Sequence, residues 1–451
     1  MLWISIRQAW AEKRWYRVVL SAVGIFALLR LLLQVLLVVG AFSPVQMTET
    51  TFLPDDLRIY LDAAQAVQNQ QPLYPPLPLE RMEFYQYAPS FALAFTPFLA
   101  LSSVANALIH TLLHVITYGL LYFVWGRIFA GLGMDGAVRT QALLLPAWLI
   151  YSPFWSDLNY LNVYVLMALL ASLLIQVILT QKLGWSVTLL TIILQIKPQW
   201  AFAAVLPLLI GQYRFFFRLI GLSVAAYAAC TIVTIGLMGS TYGLGQYATY
   251  FNLLVGIGGN YPWRTPDLPF LGYNHSIVQI VVYLFNVSPE SLRLALVIKS
   301  LIVLSLALFG LRALIQPLRV INGYMKLVLV FALYTAAFIW LDVVWELTLS
   351  IAVSTLLAAT HRGWLRGLIW VAFLPYMLVD AIQVISYVIF GDSILAPGPY
   401  VLTDPSIYLP LTLITTVVFY GLLTMRLWTF FDWQKQRNIL HGSEHLSQPT
   451  H

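Results

Sequence analysis

KLGWSVTLLTIILQIKPQWAFAAVLPLLIGQYR (182–214) carries a basic residue near each end, Lys182 and Arg214, and a lysine-proline pair at its centre. Lys and Arg collect on the cytosolic face of a membrane protein, so both ends read as cytosolic. Only about 30 residues separate them, whereas one spanning helix needs about 20 apolar residues rising ~1.5 Å each. Two full spans do not fit. Two short helices meeting at IKPQ do, with Lys197 and Pro198 at an apex toward the outer side. The competing reading is one long span with a buried lysine, which inverts the topology of everything downstream.

The rest of the chain is just as apolar. Of its 451 residues 60% are hydrophobic and 9% charged, and mean hydropathy is +0.82. No soluble domain covers its surface with so few charges. The fold class is therefore an all-α polytopic membrane protein of about 12 transmembrane elements. Strand-like alternation over about ten-residue segments is absent, which argues against a β-barrel. The net charge of +6 reflects basic residues gathered on one membrane face, so no nucleic-acid partner is expected. The single cysteine, Cys230, excludes an intrachain disulfide and a Cys-based metal site. The first apolar run, Val18–Ala41, is longer than a signal-peptide core and no small-x-small cleavage site follows it, so it reads as a retained first span.

Sidedness follows from the charges. Arg7, Lys13, Arg14 and Arg17 precede that span and put the N-terminus in the cytosol and residue 43 outside. Residues 43–88 then form a long first outer loop, of a length usually reserved for function. Within it DLRIYLDAAQAVQNQQ (56–71) has near-helical apolar spacing and predicts an amphipathic helix on the bilayer surface. YAPSFALAFTPFLAL (87–101) predicts a half-helix, followed by a span at 104–126 with Arg127 and Arg139 cytosolic. The chain returns outward through 140–156, turns at SPFWSDLNYLN (152–162) and goes inward through 160–180. Residues 219–238 lead to a second outer loop, 239–275. NHSIVQIVVYLF (274–285) repeats the half-helix, and a span at 297–316 leads to Arg312, Arg319 and Lys326. Residues 327–341 and 344–360 read as another short pair with its apex at IWLDVVWE (339–346), and spans at 367–389 and 407–428 follow. Residues 1–430 thus form one transmembrane domain, and 431–451 a polar cytosolic tail.

On this scheme Asp55, Asp56, Asp157, Asn159, Lys197, Asn274, His275, Asp342 and Glu346 all gather at the outer face. Taken singly, each has a plainer explanation. Asp55 and Asp56 suit a helix N-terminus, where carboxylates are favoured. Lys197 could snorkel to an interface. Their recurrence at one membrane level favours function, because ionisable groups at membrane depth are costly. A lysine held before a proline suits an anion, and a lipid phosphate is the obvious one there. Arg293 and Lys299, at or within an apolar span, either snorkel or pair with phosphate or carboxylate, and Arg293 is the second donor-phosphate candidate. His110 and His114 lie at i, i+4, but the HExxH glutamate and a third ligand are missing, so they read as a polar contact within the bundle. No Walker, Rossmann or GxSxG motif is present.

DLRIYLDAA (56–64), PLY (72–74) and YAP (87–89), followed by NYLN (159–162), IKP (196–198) and NHS (274–276), together resemble glycosyltransferase family 87. The family has a GT-C fold, uses polyprenyl-phosphate sugars and includes phosphatidylinositol mannoside mannosyltransferases. The resemblance covers roughly 15–360 and is carried by short motifs, the first loop weighing most. It implies a bacterial plasma-membrane enzyme moving a hexose, mannose first, from a polyprenyl-phosphate donor to a lipid or glycan acceptor. Asp56 matches the family's catalytic base, with Asp55 as the fallback. Tyr60, Tyr87, Asn159, Asn274, His275 and Asp342 are the substrate-binding candidates. Around WLD (340–342) relatives often carry histidines that this chain lacks.

Such a transferase needs a cation for the departing phosphate and one carboxylate to take the acceptor's proton. Direct displacement inverts the anomeric centre, without the paired carboxylates of most glycosidases. No resident cofactor is called for, and assistance by a divalent metal stays open. An arabinofuranosyl donor is the nearest alternative. A lipid or sugar transporter is the rival from another class, expected to show inverted repeats and a midplane site, and a non-catalytic envelope scaffold is the third reading.

Overall fold

The computed structural model describes residues 1–39, 54–75, 85–256, 277–316, 318, 321–340, 349–390 and 415–431. Among them regular structure is entirely helical. Among the described residues six helices are long and apolar enough to cross a membrane, and a bent pair would make seven. The chain is therefore a helical membrane protein.

It begins with α1 (Leu2–Glu12), separated from α2 (Arg14–Val38) by Lys13 in an extended conformation. Arg14 and Arg17 thus open the first span instead of preceding it, and α1 is a separate short helix. It packs on α6 (Asp135–Leu143) and on the far end of α5 (Ser103–Gly131). A Cβ at Gly126 would meet the end of the Leu2 side chain, which would have to turn aside.

At the other end of α5 lie α3 (Asp55–Gln68), α4 (Pro89–Phe95) and a 3₁₀ turn, Thr96–Ala100. The side chains of Leu57, Tyr60, Ala63, Ala64 and Val67 on α3 are buried while Arg58 and Asp62 are exposed, as helical spacing predicts. That buried face packs on α4, the 3₁₀ turn and α8 (Ser152–Tyr160), so it meets protein.

The return leg expected at 140–156 is broken into α6, α7 (Leu145–Leu149) and α8 (Ser152–Tyr160), with Pro146 and Pro153 in the first turns of the latter two. After α8 the path bends by 118° into α9 (Tyr164–Leu179). The short pair predicted around Lys197 is present. α10 (Leu183–Ile196) ends at Lys197, whose backbone is extended, and a 3₁₀ run (Pro198–Val205) with α11 (Leu206–Leu209) completes it.

α12 (Tyr213–Met238) leads into α13 (Ser240–Gly256), a helix within the second loop, after Gly239 at φ 89°. The hydroxyl of Tyr242 donates to the Gln71 carbonyl (2.6 Å), and the Leu73 N–H donates to Gln246 Oε1 (2.9 Å), joining the two loops. α14 (Ile277–Phe285), α15 (Pro289–Ile315), α16 (Gly323–Trp340), α17 (Ser350–Thr360) and α18 (Trp364–Phe390) follow, and 415–431 is helical. α16 is central, two-thirds of its apolar window being buried (67%), whereas α2 and α12 show mostly apolar side chains outward (11% and 17% buried). Such faces suit lipid.

Candidate functional site

Asp56 lies in the first turn of α3, where the helix dipole favours a carboxylate. Its Oδ2 accepts from Asn162 Nδ2 at 2.8 Å. Asn162 Oδ1 accepts from the Val163 N–H (2.6 Å) and the Tyr60 hydroxyl (3.3 Å), so one amide ties α3 to the start of α9. The Tyr60 hydroxyl also meets that of Tyr87 (3.0 Å). Burial first, then the neighbouring Tyr87 and Asp56 charges, holds the Tyr60 phenol well above its ordinary range, so it stays a neutral hydroxyl.

Tyr87 links this group to the cation. Its ring stacks on Phe91 and meets Tyr60 edge-on, and Lys197 Nζ lies 5.4 Å from its centroid. The same ammonium stands 3.7 Å from the Tyr164 centroid, a close cation–π contact. Lys197 is only 5% exposed. Beside it, Gln195 Oε1 accepts from Ser90 Oγ (2.5 Å), while the buried Gln195 Nε2 has no hydrogen-bond partner among the described residues.

The α8–α9 bend supplies the rest. Asp157, 4% exposed, accepts from the Tyr164 and Val165 N–H groups (3.3 and 3.0 Å) and so caps α9. His114 has Nδ1 against the His110 carbonyl and Nε2 against the Asn162 carbonyl, with Asp157 Oδ2 at 3.5 Å. His110 meets the Asn106 carbonyl at 2.8 Å. Both histidines serve as polar contacts within the bundle. Among the described residues no three His, Cys, Asp or Glu are grouped to hold a metal ion.

Asp56, Tyr60, Tyr87 and Lys197 are thus gathered in one cluster. Asn159 is turned elsewhere, its Oδ1 accepting from Arg30 Nη2 at 2.7 Å. Arg293 is exposed on α15, and no hydrogen bond or ion pair among the described residues joins it to the cluster. The side chain of Asp55, and Asn274, His275, Asp342 and Glu346 altogether, lie outside the described residues. Asn162, Tyr164 and Gln195 are neighbours that sequence spacing does not single out, although NYLN and IKP point to the right stretches.

Among the described acids, Asp157 is committed to a helix cap and Asp380 lies against Arg30 (3.5 Å). Asp56 keeps partial solvent access. A carboxylate that is oriented by an amide and reachable from outside can accept a proton from a bound hydroxyl. A buried ammonium on aromatic faces can hold an anion. Comparison with protein-family models, with curated proteins and with solved structures returns no match.

Proposed function

We propose that this protein is an integral-membrane glycosyltransferase of the GT-C type, related to glycosyltransferase family 87. It transfers a hexose, mannose first, from a polyprenyl-phosphate donor to a lipid or glycan acceptor on the outer face of a bacterial plasma membrane, with both termini cytosolic. The observation that carries the reading is the Asp56–Asn162–Tyr60–Tyr87–Lys197 cluster, which puts an accessible carboxylate and a buried cation in one aromatic group. About twelve transmembrane elements are expected on this reading, with the short apolar helices counted as elements beside the long ones.

In the proposed reaction the acceptor hydroxyl attacks the anomeric carbon and its proton passes to Asp56. The bond from that carbon to the phosphate oxygen breaks, and the lipid phosphate departs with the electron pair, stabilised by Lys197. The new glycosidic bond forms with inversion. Asn162 holds the carboxylate in place, and Tyr60 keeps its hydroxyl as a donor. The test incubates the purified full-length protein with polyprenyl-phosphate mannose and a panel of lipid acceptors, with polyprenyl-phosphate arabinose in a parallel arm. Hexose appearing on an acceptor, and its loss in Asp56→Asn, supports the proposal. Transfer from the arabinose donor alone would reassign the sugar, and no transfer from either would overturn the reading.

A further inference from the structure

The first span contains a guanidinium in an otherwise uncharged apolar run, Arg30, 6% exposed. α18 contains a single carboxylate, Asp380, 5% exposed. Opposite charges buried within two apolar runs pair to avoid isolated burial. This pair is loose, however. Arg30 Nη2 stands 3.5 Å from Asp380 Oδ1, and among the described residues Arg30 Nε and Asp380 Oδ2 have no hydrogen-bond partner. The tighter contact is the 2.7 Å hydrogen bond from Arg30 Nη2 to Asn159 Oδ1. The guanidinium also lies 5.4 Å from the Trp155 ring centroid. Gln34, one turn further along α2, donates to the Leu158 carbonyl (3.3 Å).

Arg30 and Gln34 therefore grip the C-terminal end of α8, where backbone carbonyls lack helical partners and a positive charge is favoured. The residue that follows, Leu161, is in the left-handed region at φ 51°. Glycine normally takes that place after a helix, because a side chain disfavours it. The next residue is Asn162, the one bonded to Asp56. On the other side, Ser152 Oγ accepts from the Asp380 N–H (2.9 Å) and donates to the Met377 carbonyl (2.6 Å), fixing the start of α8 to α18.

We infer that Arg30 is a positioning residue: through Asn159 it sets the turn at Leu161 that presents Asn162 to Asp56, while Asp380 balances its charge. This rests on the transferase reading for its catalytic consequence, but not for its structural one. His114 Nε2 meets the Asn162 carbonyl and reports the turn without substrate.

The experiment uses full-length protein labelled with ¹⁵N-histidine, the His114 signal being assigned with His114→Gln. Asn159→Ala removes the grip and leaves the ion pair in place. Arg30→Met with Asp380→Leu removes both charges together, which a fold tolerates better than stranding one. Both proteins are expected to move the His114 Nε2 resonance. Both should lower kcat for transfer from polyprenyl-phosphate mannose by about 10²-fold, the scale of a small displacement in a catalytic geometry, with donor KM little changed. Adding Asn159→Ala to Asn162→Ala should cost little more than Asn162→Ala alone. An unmoved His114 resonance in both proteins overturns the inference, as does a kcat loss that only follows the loss of folded protein. If the wild type transfers no sugar, the transferase reading falls, and the His114 resonance still decides whether Arg30 sets the turn.

Discussion

Replacing Asp56 with Asn separates chemistry from stability, because the structure bounds the two effects differently. The new side chain keeps an acceptor oxygen for Asn162 Nδ2, now 2.8 Å from the carboxylate. A hydrogen bond to a charged group is worth ~1.5–3 kcal/mol and a neutral one ~0.5–1.5. The fold therefore loses about 1 kcal/mol, and less once the partial solvent exposure of Asp56 is counted. Losing a general base costs about 10²–10⁴ in rate, or ~3–5 kcal/mol of barrier. The barrier term wins by a wide margin. Initial rates against donor concentration, with thermal unfolding measured on the same preparations, should show kcat down by that factor and KM and stability nearly kept. Asp62→Asn should be close to wild type, since Asp62 is exposed on the other side of α3. Asp55→Asn should also cost little, because at ~100° per residue an ideal helix offsets position 55 from the face shared by positions 56, 60 and 64. A dead Asp55→Asn beside a normal Asp56→Asn would put the base one residue earlier, and wild-type turnover in both would sink the single-base mechanism.

Lys197→Ala should raise the apparent donor KM, with Lys197→Arg milder if charge dominates over ammonium shape; an unchanged KM in the alanine protein would remove Lys197 from the donor site. For sidedness, Gln71→Cys and Asn260→Cys in a Cys230→Ser background should react with a membrane-impermeant maleimide from outside intact cells, the native cysteine being exposed and so replaced. Labelling only after permeabilisation would reverse the topology. His361 donates from Nδ1 to the Leu357 carbonyl (2.9 Å), and Nε2 accepts from Arg426 Nε (3.1 Å), an arrangement only the neutral ring can make. Burial, the largest cause, outweighs the opposing pull of the Leu357 carbonyl, and the Arg426 charge adds a smaller push in the same direction as burial, so the pKa of His361 lies below the ordinary value. The unfolded chain then binds the extra proton first, so this stability is present above about pH 6.5 and is lost as pH falls below it. Melting temperatures from pH 7.5 to 5.5 should fall less steeply in His361→Gln than in wild type, and parallel curves would refute the link.

Much of the helix pattern follows from local rules. The chain breaks at Lys197 because a helix rarely continues through the residue before proline, and half-helices precede α5 and α15. The Asp56–Tyr60–Ala64 face is legible because three and four residues return to one side of a helix. The partner of Asp56 is not, since Asn162 stands 106 positions away and reaches it only through tertiary packing. NYLN marks the stretch, but spacing alone cannot choose between its two asparagines. The left-handed backbone of Leu161 does so, sending Asn159 to Arg30 and Asn162 to Asp56. Arg30 and Asp380 are a different case. Each is conspicuous as a lone charge in an apolar run, so the signal is present, but the run gives no partner.

The site lies where the helices break, and backbone chemistry gives the reason. In lipid an unpaired N–H or C=O is costly, so irregular backbone survives only where protein groups satisfy it. At the α8–α9 bend that work falls to Asp157 on the Tyr164 and Val165 N–H groups, Asn162 on the Val163 N–H, His114 on the Asn162 carbonyl and Gln34 on the Leu158 carbonyl. Of the side chains that make the bend tolerable, Asn162 bonds Asp56 directly and His114 lies within reach of its charge. Polar groups gathered to stabilise a break also create the polar environment in which a carboxylate and an ammonium can sit at membrane depth. Asp157 and Asp56 then differ in kind, although both touch this bend. Asp157 caps the backbone and is buried, whereas Asp56 is held by a side-chain amide and is partly exposed. Proton transfer to a bound hydroxyl needs a carboxylate that the hydroxyl can reach, which is why the more exposed of the two acids is the proposed base.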